Sequence, residues 1–271
     1  MDNVTLAACP LCASSQALPF VRLDHRTIVR CPGCRFIYAR EYSGRELTRL
    51  YEADYYSSPE DPRILAWVQR HQDTWQGLVR DVLLARARVA SLLDVGAGTG
   101  GFLEAFHRAS PTTALSAIES SAHACGSLTR RLPDLQFPAR SAEELAQITA
   151  QYDCITLLQV LEHVGDPLQV LRHIHQRLVP GGVLLLAIPN AHSYDILLHG
   201  TKDTFCYPNQ THLHFFTDAT ARLALRSAGF TRVQRIARYG GTEHRGVKAL
   251  AQWVMRRLGI SSELRYAAWR D

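Results

Sequence analysis

Residues 92–101 read Leu-Leu-Asp-Val-Gly-Ala-Gly-Thr-Gly-Gly, and their reading decides the fold. "GFLEAFHRA" follows at 101–109, with Phe102, Leu103 and Phe106 at helical spacing. An apolar run that ends in glycines and opens into such a pattern is a buried strand, a tight loop and a helix. The alternation continues outward. "ALSAIE" (114–119), "LQFPAR" (135–140), "YDCITLLQV" (152–160) and "GVLLLAIPN" (182–190) read as strands. "SAHACGSLTRRL" (121–132), "AEELAQIT" (142–149) and "DPLQVLRHIHQRLV" (166–179) read as the helices between them. In the last of these, Asp166 is the expected N-cap, Pro167 the first turn and Gly181 the stop. "TDATARLALRSAGF" (217–230) predicts a helix capped by Thr217 or Asp218 and ended by Gly229. "TRVQRIARY" (231–239) and "ELRYAAW" (263–269) add two strands, with a helix expected over 243–259. The expected fold class is therefore α/β: a doubly wound, seven-stranded, mostly parallel sheet covered on both faces.

The segment before this alternation has a different character. "CPLC" and "CPGC" place Cys9, Cys12, Cys31 and Cys34 as two C-x2-C pairs separated by 18 residues. Each pair offers two thiolates on one tight turn, with Pro10, Pro32 and Gly33 supplying turn chemistry. Four thiolates close a tetrahedral shell, so the pattern predicts a structural Zn2+; a redox dithiol and an iron–sulfur cluster are the alternatives. About 40 residues bury little core, which is where a structural metal matters most. Residues 41–90 read as helical, with a start at Asp61–Pro62 and apolar Leu65, Val68, Trp75, Leu78 and Val82. Trp67 and Trp75 fit packing onto the next domain, or an aromatic lid.

Bulk properties narrow the function. The chain has 271 residues, enough for one large domain and a small one, and 46% are hydrophobic, as in a globular protein. No apolar run reaches the ~20 residues of a membrane helix. The start, "MDNVTLAACP", carries no export signal, so a cytoplasmic address is expected. Net charge is +5 and is spread along the chain rather than gathered in the stripe typical of nucleic-acid binders. Seven cysteines without a secretion signal argue against a disulfide framework.

The glycine loop admits two parses. Gly96, Gly98 and Gly101 fit G-x-G-x-x-G, the dinucleotide pattern; Asp94, Gly96, Gly98 and Gly100 fit D-x-G-x-G-x-G, the pattern that holds S-adenosylmethionine. Asp94 separates them. A carboxylate at the strand's end repels a pyrophosphate but suits the ammonium and sulfonium of S-adenosylmethionine. Glu119, at the end of the next strand, can accept both hydroxyls of a ribose in either case.

"LLDVGAGTGGFL", "AIESS", "SAEEL", "YDCITLLQVLEHVGDP" and "LVPGGVLLLAIPN" occur in this order over roughly residues 90–240. In this the chain resembles class I S-adenosylmethionine-dependent methyltransferases. The resemblance implies that Gly96, Ala97, Gly98 and Gly100 line the methionine moiety and that Asp94 faces its amino group. It implies that Glu119 binds the ribose diol with Ser120 beside the adenine. It also places Ala142 and Glu143 at the adenine amino edge, and Gln159 and Val160 beneath the ribose and sulfonium. "SAEE" from Ser141 is also a capping-box pattern. The expected organisation is a zinc-ribbon-like module at 1–40, a helical linker or lid at 41–90, and the methyltransferase domain at 91–271 with a substrate lid at 191–217.

The acceptor is expected beyond the ends of the fourth and fifth strands. His163, His212 and His214 are the candidate catalytic residues there, because histidine titrates where a base works. His212 and His214 share one face if "HLHFF" is extended. They do not read as a second metal site, because no clustered carboxylate completes them. Tyr194, Tyr207 and Phe215 suit either a pocket or packing. Cys206 has no activating charge in its surroundings. The expected partner is a small-molecule methyl acceptor taking the group on O, N or C in secondary metabolism. An RNA methyltransferase docking through the cysteine module is the alternative, and a non-catalytic S-adenosylmethionine-binding module is the alternative of another class. The nucleic-acid base signatures are missing: Gln159-Val160-Leu161-Glu162 follows the fourth strand, where adenine enzymes carry Asn/Asp-Pro-Pro-aromatic. In pairing an amino-terminal cysteine cluster with this domain the chain also resembles bacterial natural-product and deoxysugar methyltransferases, but the further carboxyl-terminal domain of the sugar C-methyltransferases is not expected after the core, so neither is a sugar acceptor.

Overall fold

The computed structural model describes residues 3–23, 26–43, 71–200, 206–237 and 247–271. The first segments form short strands: β1 (Asn3–Thr5), β2 (Leu18–Leu23), β3 (Arg26–Arg30), β4 (Ile37–Ala39) and β5 (Glu41–Ser43). Residues 41–43 are thus a strand paired with β1, rather than the head of the helical stretch. Helix α1 (Gln72–Ala85) accounts for the described part of that stretch, while Asp61–Pro62, Leu65, Trp67 and Val68 lie outside the described residues.

The expected alternation follows: β6 (Ser91–Val95), α2 (Gly101–Ala109), β7 (Ala114–Ile118), α3 (Ala122–Arg131), β8 (Gln136–Ala139), β9 (Tyr152–Leu158), α4 (Pro167–Arg177) and β10 (Leu178–Pro189). After it come α5 (Tyr194–His199), β11 (His214–Phe215), α6 (Asp218–Ser227), β12 (Arg232–Arg235), α7 (Val247–Leu258) and β13 (Glu263–Trp269). The seven-stranded sheet has the order β12-β13-β10-β9-β6-β7-β8. Neighbours from β10 to β8 are parallel, and β13 runs antiparallel to both β10 and β12.

Local chemistry explains most of the boundaries. The Asp166 carboxylate accepts from the N–H of Gln169, and Pro167 opens α4. Thr217 and Thr220 form a reciprocal capping box on α6, and Gly229 (φ +108°) follows its end. Two expectations need correction. Helix α4 stops at Arg177 and Leu178 is already extended, so Gly181 (φ +71°) bends the opening of β10 instead of ending the helix. Residues Ala142–Gln147 form a 3-10 helix, and Ser141 makes no cap bond. There the Glu144 carboxylate accepts from the Arg140 N–H at 2.9 Å.

The unexpected element is β11. It pairs antiparallel with β4, extending the amino-terminal sheet to the order β11-β4-β3-β2. The two modules also share a core. Val29, Phe36 and Tyr38 pack in one apolar cluster with Leu93, Ile155, Leu186 and Phe216. On the sheet's other face, Val79, Val82, Phe102, Phe106 and Leu128 pack from α1, α2 and α3.

Candidate functional site

The carboxyl ends of β6, β7 and β9 define the site. After β6 the chain turns through Gly96 (φ +77°), Gly98 (φ +55°) and Gly100 (φ +78°), while Gly101 is the first residue of α2. The left-handed positions therefore fall on the glycines of D-x-G-x-G-x-G. Gly96 and Ala97 donate to the Ile118 carbonyl at 2.8 and 3.1 Å, pinning the loop to β7. A Cβ on Gly96 would lie 2.4 Å from Val160 Cγ2, and one on Gly100 2.0 Å from Leu128 Cδ2. Trp75 of α1 packs on Gly101, where a Cβ would come within 2.5 Å of its indole nitrogen. Packing behind the loop is thus what Trp75 does.

Asp94 is buried, and its Oδ1 accepts from Thr156 Oγ1 at 2.6 Å. The register aligns Asp94 with Thr156 on the neighbouring strand, so the two side chains meet. Burial pushes the Asp94 carboxyl up to about 7; the Thr156 hydroxyl offsets part of this and nearby Glu119 adds to it. A cation arriving beside Asp94 would favour the charged form. Glu119 is also buried: Oε2 accepts from Gly98 N at 2.7 Å and Oε1 from Ser121 N at 2.8 Å. It ties the glycine loop to the start of α3. Ser120 is exposed next to it, Ala142 is buried and Glu143 exposed. Gln159 follows β9 at φ +57°, rare for a residue with a Cβ, and its amide donates to Glu263 of β13 at 2.9 Å. Val160 then packs on Gly96.

Two residues further on, a second set of groups begins. Glu162 is buried, and neither of its carboxylate oxygens has a hydrogen-bond partner among the described residues. Burial pushes it up to about 8. The rings of His163 and His212 stand edge-on at 4.8 Å. His163 Nδ1 donates to the Thr211 carbonyl and His212 Nδ1 to the Cys206 carbonyl, each at 2.9 Å. Burial lowers His163 to about 4 and His212 to about 3, so both rings are neutral.

His214 is not brought into this group. Its Nε2 donates to the Val164 carbonyl at 2.9 Å, its ring stacks on Phe36 at 5.8 Å, and burial lowers it to about 4. Tyr207 and Phe215 stack at 4.9 Å, and the Tyr207 hydroxyl donates to the Ala191 carbonyl, so both serve packing. Cys206 does have a cation nearby, Arg26, but burial and Glu162 outweigh it and push the thiol up to about 12.

The backbone around these histidines is held by the amino-terminal sheet. The Leu213 and His214 N–H groups donate to the Glu162 carbonyl at 2.7 and 3.1 Å, and Ala39 N donates to the Leu213 carbonyl at 2.8 Å. Arg26 donates to the carbonyls of Gln210 (3.1 Å), His212 (2.6 Å), Tyr207 (2.9 Å) and Asn209. One guanidinium thus organises the whole turn before β11. No charge pattern in the sequence announced it.

The four predicted metal-ligand cysteines do come together. Their Sγ atoms all lie within 4.8 Å of one another, with Cys9–Cys34 and Cys12–Cys31 at 3.5 Å. The strained turn positions are Ala13 (φ +58°) and Arg35 (φ +65°), each just past the second cysteine of its pair and each donating back to the first cysteine's carbonyl at 2.9 Å. Gly33 is not at positive φ.

A parallel sheet with an antiparallel β13, a glycine loop after the interior strand β6 and an acid after the neighbouring β7 define the class I S-adenosylmethionine-dependent methyltransferase fold. A model of a methyltransferase domain matches residues 67–235, more than half of the chain. The chain belongs to this methyltransferase family. Among curated relatives, the ubiquinone biosynthesis O-methyltransferase of Ruegeria pomeroyi is 33% identical over 107 residues, 38% of this chain and 43% of the relative. That of Paracidovorax citrulli is 30% identical over 119 residues, 42% of this chain and 50% of the relative. The chain thus spans half or less of the length of these relatives. The structure of the Burkholderia thailandensis 1,6-didemethyltoxoflavin-N1-methyltransferase, with 1,6-didemethyltoxoflavin and S-adenosylhomocysteine bound, matches with a TM-score of 0.57 at 20% identity, over 94% of this chain and 99% of that one. The plantazolicin methyltransferase BpumL, in complex with a monoazolic desmethylPZN analog and S-adenosylhomocysteine, matches at 0.57 and 15% identity, over 84% and 95%. At these identities the two structures speak for the fold. No helix among the described residues is long and apolar enough to cross a membrane.

Proposed function

We propose that the protein transfers a methyl group from S-adenosylmethionine to oxygen, nitrogen or carbon of a small molecule in secondary metabolism. The observation that carries the donor assignment is the buried Asp94 beside a loop of three left-handed glycines. A buried carboxyl with its pKa raised beside the donor loop favours a cationic guest over an anionic one. In this reading Gly96, Ala97, Gly98 and Gly100 line the methionine part and Glu119 turns from Gly98 and Ser121 to the ribose hydroxyls. Ser120, Ala142 and Glu143 flank the adenine, and Gln159 and Val160 pass beneath the sulfonium. The similar proteins support a small acceptor: ubiquinone biosynthesis in one group, 1,6-didemethyltoxoflavin and a monoazolic desmethylPZN analog bound in the structures.

Methyl transfer is an in-line displacement whose leaving group is already good, so the protein chiefly aligns the acceptor, methyl and sulfur and excludes water. The acceptor side is assigned to the His163–His212 group, with His214 as a packing residue behind it. The four cysteines are read as a structural zinc site. Zinc–sulfur bonds of about 2.3 Å set the sulfurs about 3.7 Å apart in a tetrahedron, close to the 3.5 Å pairs found here. The module's role in this reading is to hold the acceptor-side turn through β4 and Arg26, which takes precedence over docking RNA. A cytoplasmic address goes with this reading, since thiols there stay reduced and available to a metal.

The test is a metabolite extract incubated with methyl-labelled S-adenosylmethionine. Label in a small molecule together with released S-adenosylhomocysteine supports the reading. Label only in RNA would replace it, and tight donor binding with no turnover against any pool would make the protein a binding module.

A further inference from the structure

The group after β9 has a geometry that methyl transfer alone does not require. Glu162, His163 and His212 each offer one ligand atom, and these atoms all lie within 4.8 Å of one another. Glu162 is only 1% exposed, and neither carboxylate oxygen is hydrogen-bonded among the described residues, a costly state for such a group. Oε1 lies 3.8 Å from His163 Nε2, too far for a shared proton to satisfy it. Both imidazoles are oriented by the backbone, through Nδ1–H bonds to the carbonyls of Thr211 and Cys206. A carbonyl only accepts, so each Nδ1 carries the proton, and the Nε2 of each neutral ring is the atom with the lone pair. An Nδ1–H anchored on a backbone carbonyl is the arrangement by which proteins orient metal-binding histidines.

We propose that Glu162, His163 and His212 bind a divalent transition-metal cation on the acceptor side of the methyl-donor site. Two imidazoles and one carboxylate suit Zn2+, Fe2+, Mn2+ or Co2+ better than the all-oxygen cations. Bonds of about 2.0–2.2 Å require ligand atoms about 3.0–3.5 Å apart, so atoms now within 4.8 Å of one another close in by up to about 1.3–1.8 Å through side-chain rotation. From the sequence, His212 and His214 do not read as a metal site, because no clustered carboxylate completes them. The fold supplies Glu162, and exchanges His214 for His163.

Three protein ligands leave positions open for a guest. Val160, two residues before Glu162, packs against Gly96 of the donor loop, which brings this group close in the chain to the methyl-donor side. The chemical consequence rests on the methyl-transfer reading and narrows the acceptor to a hydroxyl or enol. Such an oxygen, bound to the cation, gives up its proton to water more readily. Its electron pair then forms the bond to the methyl carbon, the carbon–sulfur bond breaks, and that pair stays on sulfur as S-adenosylhomocysteine.

The test is a Co2+ titration of the full chain with its cysteine site already filled by zinc. The expected result is one further cobalt per chain, with the weak visible bands of nitrogen and oxygen ligation and no thiolate charge-transfer band. Glu162→Gln and His163→Asn should each weaken it at least about tenfold while circular dichroism stays unchanged. No cobalt beyond the thiolate site in the unmutated protein would overturn the proposal, as would equal binding by both folded variants. Binding of S-adenosylhomocysteine is measured in parallel. Cobalt uptake without it would support the metal site and count against methyl transfer, so the two failures are distinguishable.

Discussion

The two sides of the site are built in opposite ways. On the donor side, Asp94, the glycine loop and Glu119 lie within 26 consecutive residues of one strand–loop–helix–strand unit. On the acceptor side, Glu162 and His163 come from the end of β9, His212 from the turn before β11, and the scaffold from Arg26 and β4. A donor loop made of backbone turns is set chiefly by local chain geometry, with Thr156, Val160 and Trp75 packing on it from elsewhere. An acceptor site made of side chains from three distant segments needs the tertiary fold to exist first. The first kind tolerates changes elsewhere in the chain, and the second depends on them.

Stripping the proposed zinc from the cysteine cluster tests that contrast with the largest expected effect. A structural zinc can contribute about 10–16 kcal/mol to a small module. Chelation should therefore expose the amides of β2, β3, β4 and β11 to hydrogen exchange, while β6, β7 and β9 stay protected. Equal protection of residues 206–216 with and without metal would show that the two sides are not built differently.

Gly96→Ala strikes the donor side. The new methyl meets Val160 and the backbone stays at φ +77°, so a loss of about 2–3 kcal/mol is expected. Thermal denaturation checks the stability and calorimetry the accompanying loss of donor binding. A variant as stable as the parent would mean that the loop is looser than described.

Glu119→Ala should weaken donor binding by about 1–3 kcal/mol, through lost charge-assisted hydrogen bonds. Calorimetry reads this directly, and an unchanged affinity would remove the ribose role. The metal-binding group after β9 should be unaffected.

The smallest effect is on pH. Asp94 is raised to about 7 in the free protein, and a cationic guest favours its carboxylate. Below pH 7, binding must therefore expel a proton, so affinity should fall about tenfold for each unit of pH and level off above 7. Asp94→Asn should flatten that slope. A wild-type profile that is flat from pH 5.5 upward would contradict the assignment of Asp94.

The same contrast governs what could be read in the sequence. The seven strands, the capping of α4 and α6, and the loop at 92–101 are local signals, and the structure follows them. Thr156 was invisible, because only strand register places its hydroxyl on Asp94. The pairing of β11 with β4 joins residues about 180 positions apart, and neither two-residue β11 nor three-residue β4 carries a periodicity of its own. Glu162 read as part of a family motif, and only the fold shows it facing His212. The end of α4 was misplaced because Gly181 is a good helix stop in isolation, yet β9 claims Leu178 as a pairing partner first. Ala13 and Arg35 hold positive φ without being glycine, because their N–H groups close the turns around the cysteines.

The most direct test of the account is a calorimetric titration of the protein with S-adenosylhomocysteine, with S-adenosylmethionine and with NADH. The account predicts one site per chain for each of the first two, tighter for the sulfonium, and no heat with the dinucleotide. Saturable binding of NADH in place of the sulfonium compound would contradict it.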